Sequence, residues 1–290
     1  MARRSSDLLA SLLAVAVLVA LLGTASAQQQ WFDEKTFTTE GNIRVDNDGS
    51  GQVASLLLDR QSGAGFFSKQ KYLYGEFSIQ MKLIPGNSAG TVTSFYLTSG
   101  PGNGTNHDEI DMEFMGNSTG DPVVLNTNVW VSGDGKKEHQ FNLWFDPAAD
   151  FHTYTIIWNP KNIIFKVDDL FIRSFKRYSD LPYPTVRPME VHATLWDGSW
   201  WATRKGEVPI DWSHGPFVVS YKGYNADACA PMGEGKPPSC AAGSERWMDR
   251  VPSAAEMETV AWAKKSYMSY NYCEDGWRFP QGFPGECGRN

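Results

Sequence analysis

The sequence predicts an all-β sandwich or barrel, and three observations carry that prediction. From Trp31 to about Tyr224 the chain breaks into segments of four to nine residues with alternating, β-branched or aromatic runs, separated by Gly, Asn, Asp and Pro. Eleven Trp, eleven Tyr and sixteen Phe in 290 residues are a heavy aromatic load that suits a large β core. No strand–helix alternation is visible, which argues against a parallel α/β sheet. A hydrophobic fraction of 41% is enough for a real core.

The elements follow in order. Phe77, Ile79, Met81 and Leu83 alternate with Glu76, Ser78, Gln80 and Lys82, and Pro85-Gly86-Asn87 ends that run. Strands are expected at 91–97, at the acidic stretch 107–115, and at 123–131, 141–145, 152–158, 163–167, 170–175 and 189–196. Asn159 to Asn162 and Asp168-Asp169 read as turns. After Tyr224 the texture changes: residues 225–244 are rich in Gly, Pro, Ala and Cys and read as a loop. Ser253-Ala254-Ala255-Glu256 is a capping box opening a helix from Ala254 to Lys265, with Met257, Val260 and Ala261 as its expected buried face. Residues 267–272 are strand-like. The expected units are a leader at 1–27, a β domain at 28–224 and a C-terminal extension at 225–290 packed on it.

The leader has the form of a secretory signal: Arg3 and Arg4, the apolar run 8–22, then Ala25-Ser26-Ala27 as a small-residue cleavage pattern. The run is short for a membrane span, and no later stretch is long and apolar enough to cross a bilayer. A net charge of −7 without a basic stripe argues against a nucleic-acid partner. Secretion makes disulfides the expectation for Cys229, Cys240, Cys273 and Cys287. Four cysteines allow three connectivities, of which sequential pairing is the simplest. Zinc is the rival reading, but no C-x-x-C pair is present. The five histidines are scattered and form no metal motif, and no calcium loop is seen, so no metal and no cofactor are expected.

The stretch His107 to Met115 holds the chemistry. Ile110, Met112 and Phe114 fall on one face of a strand, and Glu109, Asp111 and Glu113 on the other. Successive carboxylates stand about 6.7 Å apart along the strand. Such a ladder raises its own pKa values and does nothing for the fold, but glycosidic cleavage needs two carboxyl groups. Glu109 and Glu113 are the candidates, with Asp111 placed to orient one and to hinder joint ionisation. The bland alternative is an acidic strand edge that discourages aggregation.

The run His107-Asp108-Glu109-Ile110-Asp111-Met112-Glu113-Phe114-Met115-Gly116-Asn117 closely resembles the H-D-E-I-D-F-E-F-L-G-N signature of plant xyloglucan endotransglucosylase/hydrolases, in glycoside hydrolase family 16. The likeness extends through 88–93, 143–147, 167–169, 201–204 and 270–273. It implies a curved antiparallel β-jelly-roll sandwich of the concanavalin A type, with an open cleft that a helix-containing C-terminal extension lengthens. It further implies Glu109 as nucleophile, Asp111 as helper and Glu113 as general acid/base of a retaining reaction. The implied activity is xyloglucan:xyloglucosyl transfer, with water as an alternative acceptor.

Other positions match the family's sugar contacts. Asn126-Thr127-Asn128 resembles its Q-T-N strand, and Asn126, Asn128 and Trp130 share one face. Glu138 fits a D-R-E motif whose first two places are Lys136 and Lys137 here. Trp201 resembles a binding Trp, while Trp200 stands where Asp is common and Lys205 where Gly is usual. Arg278 resembles a sugar-contacting Arg, a surface salt bridge being the alternative. Asn117 and Asn103 open glycosylation sequons. The expected partners are xyloglucan donor and acceptor chains, acting on a monomer in the plant cell wall or apoplast. The rival functions are a strict hydrolase, a transferase using another β-glucan donor, and a lectin-like binding module that would not need both glutamates.

Overall fold

The structure, a computed structural model, describes residues 30–100, 106–233 and 236–289. The leader and the Asn103 sequon lie outside the described residues. Fourteen strands appear among those described: β1 (Phe37–Asn47), β2 (Gln52–Leu58), β3 (Ala64–Ser68), β4 (Gly75–Lys82), β5 (Thr91–Thr98), β6 (Glu109–Met115), β7 (Val124–Trp130), β8 (His139–Asn142), β9 (His152–Trp158), β10 (Asn162–Val167), β11 (Leu170–Lys176), β12 (Glu190–Asp197), β13 (Phe217–Ala228) and β14 (Met268–Asn271). Two helices follow β13, α1 (Glu245–Met248) and α2 (Ala254–Tyr267).

All the strand pairings are antiparallel, and two sheets stack with β1 in both. Residues 37–41 of β1 pair with β3, while 42–47 pair with β2. One sheet then runs β1-β3-β12-β5-β6-β7-β8-β14, the other β1-β2-β13-β4-β9-β10-β11. The strand changes sheets at Gly41, which has φ of +71° and lies so close to Gly63 that a Cβ would collide with its carbonyl. The jelly-roll expectation thus takes form as a two-layer antiparallel sandwich.

Between the sheets lies one apolar core. Phe77, Ile79 and Met81 are fully buried, as their alternation predicts. Most of the aromatic load goes here: Trp31, Phe32, Phe37 and Phe66 meet with ring centroids 5.1–6.1 Å apart. One charge crosses the core. Arg173 of β11 donates from Nη1 to the Thr127 carbonyl (2.7 Å) and Oγ1 (2.9 Å), and from Nη2 to the Lys137 carbonyl (2.6 Å). Its guanidinium lies 5.5–5.9 Å from the ring centroids of Phe165, Phe175 and Tyr272. A buried cation is tolerable only with such saturation of its donors.

Three local readings change. The segment read as a loop from Asn225 is strand as far as Ala228, because Asn225–Ala228 pair with Gly75–Ser78 of β4. The strand read at 141–145 is β8 at 139–142, since its partners on β7 end there. Helix α2 has its capping box, with Ser253 and Glu256 bonding reciprocally, but its buried residues are Val260 and Ala263, while Met257 is exposed. Thr259 is bonded to both the N–H and the carbonyl of Phe171 on edge strand β11, which rotates Met257 and Ala261 away from the sheet. The cysteines pair as Cys229–Cys240 and Cys273–Cys287, so zinc has no ligands to claim there.

Replacing Gly41 by Ala would force both a strained φ and a backbone clash. We predict a loss of about 2–4 kcal/mol or more in urea unfolding, against a change under about 1 kcal/mol for Gly276→Ala, which has no left-handed φ and whose added Cβ meets nothing within 4 Å.

Candidate active site

Strand register builds the site. Strand β6 lies between β5 and β7, which sets Glu109 between Thr98 and Trp130, Asp111 between Tyr96 and Asn128, and Glu113 between Ser94 and Asn126. The rows continue outward on the same face, His192 and Phe67 beyond Tyr96, and Gln140 beyond Asn126. Ile110, Met112 and Phe114 on the opposite face are wholly buried. All three acids therefore open onto one groove. Its two limbs, of about 940 and 1010 Å³, meet at the acids. One limb passes over Tyr96, His192 and β3, the other over β7, β8 and the C-terminal extension.

Burial sets the protonation of the trio. It raises Glu109 above the ordinary carboxylate range, but bonds from Thr98 and Asp111 and the charge of His107 oppose that rise. Asp111 is pushed well up by burial, then by the charges of both glutamates, so it holds its proton and donates to Glu109. Burial pushes Glu113 up to about 7; Asn126 Nδ2, donating to Glu113 Oε2 at 2.9 Å, opposes this, and the charges of Glu109 and Glu138 add to it. All three carboxyl groups are thus pushed toward their protonated forms, and only at Glu109 do a histidine charge and donated hydrogen bonds work together against that rise.

The approach to β6 is clamped. Asp108, 1% exposed, accepts from Arg187 Nη1 (3.0 Å) and the Ser132 N–H (2.7 Å), while its own N–H donates to Ser99 Oγ (2.8 Å). His107 stacks on Trp130 with centroids 5.4 Å apart, and its Nε2 stands 3.9 Å from Glu109 Oε2. Gly135 lies where any Cβ would strike the Trp130 ring.

The remaining candidates divide. Asn126 and Asn128 line the groove. Asn128 Oδ1 accepts from the N–H groups of Val129 and Lys137 (2.9 and 3.0 Å), which aims its NH₂ away from that turn. Thr127 is not in the groove: it is fully buried on the core face, where its hydroxyl donates to the His139 carbonyl and meets Arg173. Alternation along β7 demands this whenever its two neighbours face the groove. Glu138 and Arg278 both line the groove, joined by two bonds of 2.7 and 2.9 Å, so Arg278 makes the salt bridge that was its alternative reading while it still borders the groove. Trp200 is 75% exposed and Trp201 half-buried on the opposite wall. Lys205 is on that wall too, whereas Lys137 turns inward to the carbonyls of Asp134 and Gly135. Asn117 borders the groove, with Nδ2 donating to the Pro122 carbonyl at 3.0 Å. Tyr96, Thr98, His192 and Arg187 were not found from the sequence, for the first three reach the site through strand pairing and Arg187 through its ion pair with Asp108.

A long open groove with paired glutamates at its waist, on one sheet of an antiparallel sandwich, defines a glycoside-bond-processing enzyme. The glycosyl hydrolases family 16 model matches residues 32–214, and the chain belongs to that family. Residues 242–287 match the xyloglucan endo-transglycosylase C-terminus. The chain is 61% identical over 288 residues to xyloglucan endotransglycosylase/hydrolase protein 8 of Oryza sativa subsp. japonica, covering 97% of this chain and 98% of that one. It is 46% identical over 279 residues to xyloglucan endotransglucosylase/hydrolase protein 22 of Arabidopsis thaliana, covering 93% and 96%. Within the family it is therefore one of the xyloglucan endotransglucosylase/hydrolases. Among solved structures it is similar to a Bacillus licheniformis beta-glucanase, with a TM-score of 0.51 and 27% identity over 66% of this chain and 91% of that one.

The raised pKa of Glu113 has a consequence for stability. The unfolded chain releases this proton near the ordinary glutamate value of 4.5 and the folded chain near 7, so the folded state holds more protons in between. Stability from this group therefore falls as pH rises across that window. Thermal melts should show the Tm advantage of Glu113→Gln over wild type growing from pH 4.5 to about 7 and levelling off above; a pH-independent difference would refute the assignment.

Proposed function

We propose that the chain cuts the β-1,4-glucan backbone of xyloglucan and rejoins the new end to a second xyloglucan chain, or to water. Glu109, as its carboxylate, attacks the anomeric carbon. Glu113 gives its proton to the departing glycosidic oxygen as that bond breaks, leaving a covalent glycosyl-enzyme. Glu113, now a carboxylate, takes the proton of the acceptor's 4-hydroxyl or of water as the new bond forms and Glu109 leaves. Asp111, neutral throughout, donates to Glu109 and so orients it while weakening it as a nucleophile, which eases its departure in the second half. The observation that carries this reading is the placing of Glu109 and Glu113 on one face of β6, where the two limbs of an open groove meet, in different settings: His107 and Thr98 beside Glu109, and burial with a single amide donor at Glu113.

The groove fits a polymer. Openings on both sides of the glutamates let a chain lie across them and be cut internally. The leader at 1–27 and the sequon at Asn117 support a secreted glycoprotein of the cell wall or apoplast, acting as a monomer on neutral polysaccharide.

Incubating unlabelled xyloglucan with a labelled xyloglucan oligosaccharide, then sizing the products, tests the reading. Wild type should move label into polymer, and Glu109→Ala and Glu113→Gln should each lose about 10³-fold or more. Chain shortening that ignores the acceptor would make the enzyme a hydrolase. Unchanged xyloglucan binding by Glu109→Ala, beside a wild type that neither cleaves nor transfers, would make it a lectin. Label entering only mixed-linkage glucan or a cellulose derivative would reassign the donor. The rate constant kcat/KM for transfer should decline above about pH 7, where Glu113 loses its proton.

A further inference from the structure

One limb of the groove carries a hydrogen-bonded row that the proposed chemistry leaves unused. Tyr96 of β5 stands beside Asp111 in register, His192 of β12 stands beyond Tyr96, and Phe67 of β3 beyond His192. The imidazole is held between rings, its centroid 4.6 Å from that of Phe67 and 4.9 Å from that of Tyr96. Its Nδ1 lies 3.1 Å from Tyr96 Oη, and its Nε2 lies 3.3 Å from Glu190 Oε2. The other Glu190 oxygen meets Lys71 Nζ at 3.4 Å. Tyr96, His192 and Glu190 all line the limb that ends at the three acids.

The chemistry of the partners fixes which way the hydrogens run. A carboxylate paired with a lysine only accepts, so the Glu190 bond requires the hydrogen on His192 Nε2. A neutral imidazole carries one such hydrogen, which leaves Nδ1 bare. Tyr96 then donates to Nδ1, and its hydrogen points away from the acids. Proton uptake by His192 reverses this: both ring nitrogens donate, and the Tyr96 hydrogen has to turn elsewhere. The charges of Glu109, Asp111 and Glu113 all reach the Tyr96 hydroxyl and, after burial, help to keep its proton on, so they are the strongest acceptors within its reach. Burial holds His192 below the ordinary histidine value of 6.5, with Glu190 opposing and Lys71 adding to it. On the Phe67 side no ionisable group is in the row, and the next one lining the limb there is Glu40 of β1.

The geometry points to Glu190 and His192 as positioning residues for the catalytic trio: they draw the Tyr96 hydrogen away from its carboxylates while His192 is neutral, and return it when His192 takes a proton. This rests on the xyloglucan-transferase reading. A phenol that donates to the trio stabilises the carboxylate it meets and weakens the nucleophile. The row therefore keeps Glu109 unencumbered at neutral and mildly acidic pH and restrains it on the acid side. Neither residue touches the reacting atoms; both act through Tyr96.

The test combines ring-nitrogen NMR of histidine-labelled protein with pH profiles of kcat for transfer at saturating xyloglucan. Wild type should show His192 with its hydrogen on Nε2 and a bare Nδ1 at neutral pH, and its kcat should fall on the acid side in step with the titration of that ring. Tyr96→Phe, which has no hydrogen to return, should carry its activity to lower pH. His192→Phe keeps a ring against Phe67 and removes the acceptor for the phenol; its kcat near neutral pH should drop by about fivefold. Adding Tyr96→Phe to His192→Phe should restore that loss, which a merely damaged fold would not allow. A hydrogen found on Nδ1 at neutral pH, an acid limb identical in wild type and Tyr96→Phe, or a double variant as slow as His192→Phe would each overturn the proposal. A wild type that transfers to no acceptor would defeat the transferase reading, while the ring NMR would still decide the direction of the row.

Discussion

Three carboxyl groups taken out of water on one strand face are the constraint to which the neighbourhood answers. They cannot all ionise. The environment resolves this by giving each a different set of partners: hydrogen bonds and a histidine charge for Glu109, burial between two acids for Asp111, and one amide for Glu113. The clamp of Asp108 by Arg187, Ser132 and Ser99 fixes where the strand enters, and Trp130, wedged by Gly135, fixes its flank. Lose the register of β6 by one residue and the acids would enter the core.

What the sequence discloses is what is local. The two-residue period of β4 and β6, the turns at 159–162 and 168–169, and the capping box of α2 are all written in adjacent residues, and each is found where expected. Non-local features were not legible. Tyr96 and His192 enter the site through partners 15 and 96 positions away in the chain, and nothing near either residue announces it. The face of α2 escaped because a threonine hydroxyl bonded to a strand edge fixes its rotation, where apolar spacing would have placed Met257 inward. Thr127 shows the opposite error: a motif read as a block put a core residue among groove residues, although alternation alone separates them.

The extension is bound to the sandwich by polar groups as much as by apolar ones. Asn159, fully buried in the turn between β9 and β10, donates to the carbonyls of Trp247 and Arg250 at 2.8 and 2.9 Å, and Asn162 donates again to Arg250. Tyr272 lies over Arg173 and bonds to the buried Glu286 at 3.2 Å. Buried amides without these carbonyls would each stand unsatisfied, so sandwich and extension depend on each other for hydrogen-bond completeness. The same guanidinium that spans the core thus reaches the backbone of β7 beneath the groove-facing asparagines and the first turn of the stapled loop.

The extension also closes the sheets on this side: β14 pairs along β8, and α2 lies against β11, the outermost strand of the other sheet. These covers come late in the order of synthesis, after every strand of the sandwich they protect. Until about residue 271 has left the ribosome, a nearly complete sandwich presents two unpaired edges, each a template for another nascent chain. A stop codon before about residue 271 would therefore leave a strand edge open, and the product would be sticky as well as short.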